Sequence, residues 1–362
     1  MNAPFLETIQ TREGWQATFA FQIFHRPAAE WLAMRWGFNA GALLDEALDR
    51  YKLFIESQAL SEAAFLTNDQ PADRTLALRA INLPGQGVQM AFLGKASAPE
   101  KALAQQAAKD YAREIFSTFP HDFIVQIVEE KTDHDRLVGR DFFARKPHVA
   151  AIQRAAVIIP HLDKHQYISG TWQSSQRANE QIWRALSNTQ KAVMLNITMQ
   201  PSILFDGEKK MLLDAQKIIA AIESNERRVE DSLYSAHIAW AKAFVKRRLA
   251  SWKKFFQMQL HVLADGPVNE NLLRSIGSAI TRDTSETVLP GFQILRPNSR
   301  EDEEEWFEQI HSLDFIAPQM HINDLADIDE AFAVFRLPYR PEAGLPGANF
   351  ISAVKGPPTP SG

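Results

Sequence analysis

The chain has 362 residues, of which 45% are hydrophobic and 23% are charged, and its formal net charge at pH 7 is −5. This composition is typical of a globular protein, and the acidic balance excludes a surface that is basic throughout, so any contact with DNA would be local. The absence of cysteine excludes disulfides, thiolate nucleophiles and cysteine-bound zinc or iron–sulfur sites.

The sequence shows no targeting or membrane-spanning pattern. Residues 1–15 lack a basic region followed by an apolar run, and no apolar run elsewhere approaches the length that a membrane span needs. We therefore expect a cytoplasmic protein without a membrane anchor.

The first part of the chain, residues 1–130, is predicted to form a subdomain with helices and a β-β-α-β unit. Apolar residues at helical spacing predict two helices within residues 26–66. Three strands and a helix follow, with the strands at 76–84, 88–97 and 122–130 and the helix at 98–118. Ser97 and Glu100 have the spacing of a capping box at the start of this helix.

Residues 131–190 are predicted to form an irregular connecting segment. Glycine, proline and histidine are scattered through it, and the pattern indicates one short helix around residues 147–156. This segment separates the first subdomain from the regular pattern that begins at residue 191.

Two groups of residues in the connecting segment have a composition that suits metal binding. His161 and His165 would share one face of a helix, but Leu162 stands where a zinc protease has its glutamate, and Pro160 favours a loop. The Asp-His-Asp run at residues 133–135 is interpreted as a polar turn between strands. We therefore expect neither a metal nor another cofactor.

Residues 191–337 are predicted to form a second subdomain, β-α-β-α-β with two closing helices. Its strands are expected at 191–204, 255–265 and 291–296, and its helices at 206–252, with a bend near 224–226, and at 269–280, 300–312 and 324–335. The sequence shows no convincing internal repeat, although both halves contain a strand-helix-strand core. Residues 338–362 are rich in proline and glycine and predict a linker or tail.

The fold class that these elements predict is α+β, with mixed sheets, long amphipathic helices and two subdomains. No catalytic motif accompanies it. The fragment Gly94-Lys95-Ala96 lacks the first glycine and the hydroxyl of a phosphate-binding loop, and there is no Gly-x-Ser-x-Gly motif. We therefore expect no catalytic residues and no ATP hydrolysis by this chain alone.

The densest basic patch includes four residues that could contact phosphates: Arg247, Arg248, Lys253 and Lys254. The alternative is a solvated helix end, where cations interact favourably with the carboxyl end of the helix dipole. The sequence favours this second interpretation.

Three segments resemble parts of one protein family. They are VMLNITMQPSILFDGEK (193–209), FFQMQLHVLADG with the helix after it (255–280), and DEAFAVFRLPYRPEAGLPG (329–347). These segments resemble the N-terminal regions of HerA-like proteins, the DNA-pumping ATPases related to conjugation and FtsK motors. In such proteins the third segment, which we call the exit segment (residues 329–347), leads toward the motor domain, whose phosphate-binding loop is not present in this sequence.

The resemblance implies a non-catalytic assembly or partner-recognition region of a DNA-translocating ATPase. It also implies self-assembly, for example as a hexameric ring, or contact with a fused or separate motor. DNA would be contacted through that assembly. A stand-alone scaffold of a multi-protein complex is the alternative, and an enzyme with a scattered site is a third. A motor sequence after Gly362 would favour the first.

Four residues of the exit segment are candidates for an interface: Phe335, Arg336, Leu337 and Pro338. Phe335 continues an apolar helix face, so core packing is its alternative role. Arg336 lies elsewhere on that helix, where its guanidinium could make a planar contact with a partner. We expect Arg336→Ala to weaken assembly with little change in melting temperature, and Phe335→Ala to lower stability.

Overall fold

The computed structural model describes residues 3–25, 40–60, 73–120, 122–159, 166–168, 170–173, 176–224, 232–250, 254–283, 291–317, 320–339 and 347–351. Several predictions lie outside these residues. They concern the helix expected before residue 40, the pair His161 and His165, the bend near 224–226 beyond Ser224, Lys253, and most of the tail.

The strands of the described residues fall into one large sheet and two small ones. They are β1 (Glu7–Gln10), β2 (Trp15–His25), β3 (Asp73–Leu83), β4 (Gly87–Ala98), β5 (Phe123–Ile127), β6 (His148–Arg154), β7 (Ala156–Ile158), β8 (Gln166–Ile168), β9 (Gly170–Trp172), β10 (Val193–Ser202), β11 (Phe255–Ala264), β12 (Thr281–Asp283), β13 (Phe292–Leu295) and β14 (Leu325–Asp327). The large sheet has ten of these strands, and β7–β8 and β9–β12 form the small sheets.

The helices of the described residues flank this sheet. They are α1 (Ala40–Gln58), α2 (Lys101–Thr118), α3 (Lys131–Val138), α4 (Arg140–Phe143), α5 (Gln176–Ser187), α6 (Asp206–Glu223), α7 (Ser232–Leu249), α8 (Glu270–Ile280), α9 (Arg300–Ser312), α10 (His321–Asp324) and α11 (Ile328–Val334). Side-chain caps define several starts, since Asn269 accepts from Asn271 N and Ser299 accepts from Asp302 N. None of the described helices is both long and apolar enough to cross a membrane.

The large sheet consists of two units that follow one topology. The first unit is β2-α1-β3-β4-α2-β5 and the second is β6-α5-β10-β11-α8-β13. Their strands lie in the order β5-β2-β4-β3 and β10-β11-β6-β13, so each is a βαββαβ unit of ferredoxin-like type with strand order 4-1-3-2. The antiparallel pair β3–β10 joins them, with Arg79 opposite Asn196, so that one sheet crosses both units.

The two faces of this sheet differ in chemistry, as β11 illustrates. Because side chains alternate along a strand, Met258, Leu260 and Val262 share one face, while Gln259 and His261 share the other. The first face packs against α1, α2, α5, α8 and α11 and forms the main apolar core. The second is covered by α3, α4 and α9, and it carries buried polar side chains across both units. We call this second side the polar face.

The α+β class is confirmed, and the main strands and helices lie where the sequence predicted them. The helix predicted at 147–156 is wrong, because this segment forms β6. Both faces of β6 are covered, so Val149, Ala150, Ala151 and Ile152 are all buried and show no alternation to distinguish a strand from a helix.

Three further predictions are corrected. The capping box of Ser97 and Glu100 is wrong, because Ser97 belongs to β4 and Glu100 caps α2 without a side-chain hydrogen bond. The helix predicted at 324–335 is divided, since residues 325–327 form β14, which pairs with β11. The segment 131–190 is not irregular throughout, because it supplies α3, α4, β6 and α5.

The predicted subdomains meet in this sheet. Strand β6 and helix α5, from the predicted connecting segment, complete the second βαββαβ unit, and the β3–β10 pair links the predicted subdomains 1–130 and 191–337. Helices α6 and α7 are inserted between β10 and β11, where the first unit has only a short turn between β3 and β4. The topological repeat is therefore present without a sequence repeat that would reveal it.

Candidate functional site

A cavity of about 460 Å3 lies at the polar face of the second unit. Its floor is built from β6, β11 and β13, where Gln153 pairs in register with Gln293 and lies beside Gln259 on the same face. Trp172 and Trp306 contribute to its lining. The alternation of the strands therefore gathers three glutamine side chains at one place, although they come from distant parts of the sequence.

Asp324 is the carboxyl group of this cavity. It ends α10 and is buried, and its Oδ2 accepts a hydrogen bond of 2.8 Å from Gln259 Nε2. Gln259 is itself fixed by the backbone, because Ile316 N donates to its Oε1 at 3.0 Å. Burial raises the pKa of Asp324 to about 6, although the Gln259 hydrogen bond and the charge of Arg154 oppose this rise. The group can therefore exchange a proton near neutral pH.

His261 lies on β11, as Gln259 does, and also lines the cavity. It is buried, and its Nδ1 has no hydrogen-bond partner among the described residues. Burial lowers its pKa to about 3, so the imidazole is neutral at physiological pH. The cavity thus combines a neutral imidazole, a titratable carboxyl and amide groups, which suits a small polar ligand.

The predicted phosphate patch lies at the end of α7, and its arginines are engaged by carboxylates. Arg248 is buried and donates to Glu330 Oε2 at 3.0 Å and to Leu325 O at 2.6 Å. Arg247 makes two hydrogen bonds to Asp327, of 2.8 and 2.9 Å. Lys254 lies 3.5 Å from the carboxylate of Glu56. A phosphate would have to displace these carboxylates. Both arginines lie in the last turn of α7, as the sequence predicted, but Arg248 is buried there and Arg247 is only partly exposed.

Glu330 is the centre of this charged cluster. Its Oε1 accepts a hydrogen bond of 2.6 Å from Arg154 of β6, and its Oε2 binds Arg248 of α7. Burial alone would raise the pKa of Glu330, but Arg154, Arg248 and Arg247 together lower it to about 2. The carboxylate is therefore ionised at neutral pH, and its hydrogen bonds connect α11 to both β6 and α7.

The four interface candidates of the exit segment are all buried: Phe335, Arg336, Leu337 and Pro338. The ring of Phe335 stacks on Phe92 of the first unit at a centroid distance of 5.4 Å. The guanidinium of Arg336 lies 5.2 Å from the ring centroid of Phe332. These side chains face the interior of the protein, so they present no surface of their own to a partner.

The exit segment is described by the structure for residues 329–339 and 347, and the part up to Tyr339 contacts both βαββαβ units. Tyr51 of α1 donates a hydrogen bond of 2.8 Å to Phe335 O, and Asn179 of α5 donates one of 3.1 Å to Leu337 O. Tyr339 packs edge-on against Phe123 of β5, with ring centroids 4.9 Å apart. The segment therefore bridges the two units on the apolar side of the sheet.

The chain pairs with the sheet again after the exit segment. Val88 N donates to Asn349 O at 2.8 Å, and Ile351 N donates to Val88 O at 3.0 Å. The ring of Phe350 lies 5.9 Å from Trp183 of α5. Residues 347–351 thus hold a fixed position beside β4.

No family model matches the sequence, and a search of curated proteins found no match. The resemblance to HerA-like ATPases therefore stays an expectation drawn from the three quoted segments.

Sequence reasoning missed Asp324, Glu330, Arg154 and His261 as members of buried sites. One signal was available, since Gln257, Gln259 and His261 alternate with apolar residues along β11 and indicate a polar strand face. Glu330 gave no such signal, because acidic residues are ordinary in the first turn of a helix.

Proposed function

We propose that this chain is a non-catalytic assembly region that fixes the position of a ring-forming ATPase motor, either fused to it or separate. The observation that carries the proposal is the exit segment, which hydrogen-bonds to both βαββαβ units before the chain pairs with β4. The resemblance of residues 329–347 to the lead toward a motor domain supplies the kind of partner. A cytoplasmic location and DNA contact through the assembly belong to the same proposal.

The buried exit segment explains how such a region would act. Phe335 and Leu337 have no exposed surface, and each contributes roughly 1.5–3 kcal/mol by burial. Glu330 adds a charge-assisted attachment to Arg154 and Arg248. A connection held in this way would fix the position of a motor domain relative to this chain, whereas a flexible linker would not.

The buried exit segment changes the role expected for the four interface candidates. These buried side chains would stabilise the segment that carries the partner surface, without contacting the partner themselves. Phe335→Ala should lower stability by about 3–5 kcal/mol, as large-to-small changes of buried phenylalanine do. Because Arg336 is also buried, Arg336→Ala should lower the melting temperature too, in contrast to the expectation from the sequence. Thermal unfolding of both variants measures these losses.

Sedimentation velocity tests the assembly role, with the chain alone and mixed with a candidate ring ATPase. We expect a complex with the parent chain and its loss in Phe335→Ala at temperatures where that variant is still folded. Leu103→Ala is the matched control, because Leu103 is 54% exposed on α2. No association in either setting would contradict the proposal, and so would ATP turnover by the purified chain that is abolished by a substitution in this chain.

A second candidate function is the binding of a small polar ligand, which the cavity around Asp324 favours. A ligand with an amine or amidine group would pair with the ionised carboxylate and would stabilise the protein more at pH 8 than at pH 5. A thermal-shift screen at the two pH values, repeated with Asp324→Asn, checks this. Stabilisation that is equal at both pH values and in the variant would place the ligand elsewhere.

A further inference from the structure

We propose that Glu7, His134 and Asp135 form a binding site for a divalent transition-metal ion. Glu7 belongs to β1 at the sheet edge, whereas His134 and Asp135 belong to α3. One ligand atom from each residue lies within 4.8 Å of the other two. His134 Nδ1 is 4.0 Å from Glu7 Oε2 and 3.9 Å from Asp135 Oδ1. The site is independent of the proposed assembly role.

His134 supplies the observation that distinguishes this group from an ordinary acidic cluster. Its side chain has no exposed surface, and neither ring nitrogen has a hydrogen-bond partner among the described residues. Buried polar groups in proteins are nearly always paired, so an imidazole with two free nitrogens calls for a further ligand.

The two carboxylates are already oriented for this role by neighbouring cations. Arg140 binds Glu7 Oε1 at 2.5 Å, and Lys131 binds Asp135 Oδ2 at 2.5 Å. The opposite oxygen of each carboxylate, Glu7 Oε2 or Asp135 Oδ1, is the one that faces His134. Groups that hold metal ligands from behind commonly have this arrangement.

Arg140 is the one neighbour that would have to adjust. It lies 3.4 Å from Asp135 Oδ1, close to the place that an ion would occupy. Its side chain is 42% exposed, so the guanidinium can keep its contact with Glu7 Oε1 or turn toward solvent. The ion would therefore compete with a partly exposed side chain and not with a fully buried partner.

The ligand types indicate which ions would bind. One imidazole nitrogen and two carboxylate oxygens, without sulfur, suit Zn²⁺ or Mn²⁺ better than Mg²⁺, which prefers oxygen ligands and water. Ligand atoms around a tetrahedral zinc are roughly 3.4 Å apart, so the two spacings from His134 Nδ1 need a contraction of about half an ångström. Solvent would supply the remaining ligand. The ion would join edge strand β1 to helix α3.

The prediction of a polar turn at Asp133-His134-Asp135 is wrong, because this run lies on α3 with His134 on the buried side. The helix places Asp133 away from the site, where it pairs with Arg136 at 2.9 Å. This makes Asp133 a matched control for Asp135.

Titration of the chelator-treated protein tests the site. Isothermal titration calorimetry with ZnCl2, MnCl2 and MgCl2 should show one equivalent of Zn²⁺ or Mn²⁺ bound, at least tenfold tighter than Mg²⁺, and a higher melting temperature with the metal. Asp133→Asn should bind like the parent. Glu7→Gln and Asp135→Asn should each weaken binding at least tenfold, and His134→Asn should abolish it.

Circular dichroism of each variant separates loss of the site from loss of the fold. If His134→Asn does not fold, the partly exposed Glu7 and Asp135 decide the question through their variants. No stoichiometric Zn²⁺ or Mn²⁺ in the parent would overturn the proposal. Binding that is unchanged in both Glu7→Gln and Asp135→Asn would overturn it as well.

Discussion

The two βαββαβ units bury arginine in different ways. In the first unit, Arg79 of β3 donates to Val138 O and Ile310 O, each at 2.6 Å, and to Asn196 Oδ1 at 2.9 Å. These acceptors are all uncharged. In the second unit, Arg154 and Arg248 share the carboxylate of Glu330. One site thus uses neutral acceptors and the other uses a full counter-charge.

The acceptors of Arg79 explain how it is tolerated without a carboxylate. Val138 is the last residue of α3, and Ile310 lies in the last turn of α9. Carbonyl groups at the carboxyl end of a helix lack an intrahelical donor and carry partial negative charge. Two helix ends therefore stabilise the guanidinium, although burial still lowers the pKa of Arg79 to about 9. The comparison shows that the same fold can stabilise a buried cation with or without a titratable partner.

Of the substitutions that test this comparison, Glu330→Gln should cause the largest loss in the free energy of unfolding. The substitution keeps the shape but removes the counter-charge of two buried arginines, and we expect a loss of about 3–5 kcal/mol in the free energy of unfolding. Urea denaturation at pH 7 measures it. Glu301→Gln, an exposed position in the first turn of α9, is the control. A loss below about 1 kcal/mol would mean that the carboxylate hardly stabilises the cluster.

The acid dependence of stability should separate Glu330 from Arg79. The pKa of Glu330 is about 2 in the folded protein, against 4.5 for the unperturbed group. Its contribution is therefore present above the unfolded pKa and is lost as the pH falls from about 4.5 through about 2, on the order of 3 kcal/mol. Glu330→Gln should lack this part of the acid transition. Parallel curves for parent and variant below pH 4.5 would contradict the assignment.

Arg79→Met should have a smaller effect, about 2–3 kcal/mol, because two helix-end carbonyls and Asn196 lose a donor in a buried site. Since none of the acceptors titrates, this loss should be the same at pH 7 and in mild acid. Denaturation curves at both pH values check it. A loss that shrinks with acid, as expected for Glu330, would show that a carboxylate helps to hold Arg79.

Asp324→Asn should give the clearest pH signature, because it removes a carboxylate whose ionisation destabilises the folded state. Because the folded pKa of about 6 lies above the unperturbed 3.8, the folded state holds the proton more tightly. Parent stability should therefore fall as the pH rises from about 4 to about 6, by roughly 2–3 kcal/mol, and the variant should lack this fall. A slope that persists in Asp324→Asn would assign the titration to another group.

The sequence predicted helices from apolar residues at helical spacing and strands from short runs of apolar residues. Helix α2 illustrates this, because Ala104, Ala108, Tyr111 and Ile115 form one buried stripe. Strands β3, β4, β10 and β11 were predicted although nearly all of their residues are buried. Strand β6 was missed because its central residues Ala150 and Ala151 suit a helix as well as a buried strand. The α+β class could be inferred from element types, but the 4-1-3-2 strand order depends on pairings such as β3–β10, which local patterns do not specify.

The sites were harder to predict than the fold, for a physical reason. Arg154 and Glu330 meet although they come from β6 and α11, and Glu7 reaches His134 from another element. The sequence identified Arg247 and Arg248 as a basic patch because the two residues are adjacent in the chain. Their carboxylate partners follow only from the tertiary fold.

Hydrogen exchange of residues 335–339 tests the central claim most directly, namely that this part of the exit segment belongs to the fold and holds a fixed position on both units. The amides of Phe335, Arg336 and Tyr339 are hydrogen-bonded to Ala331, Val334 and Leu337. The account predicts that they open with the same free energy as amides in the β3–β10 pair, through global unfolding only. Exchange of the exit segment at an opening free energy several kcal/mol lower would show a loosely docked tail and would contradict the proposed assembly role.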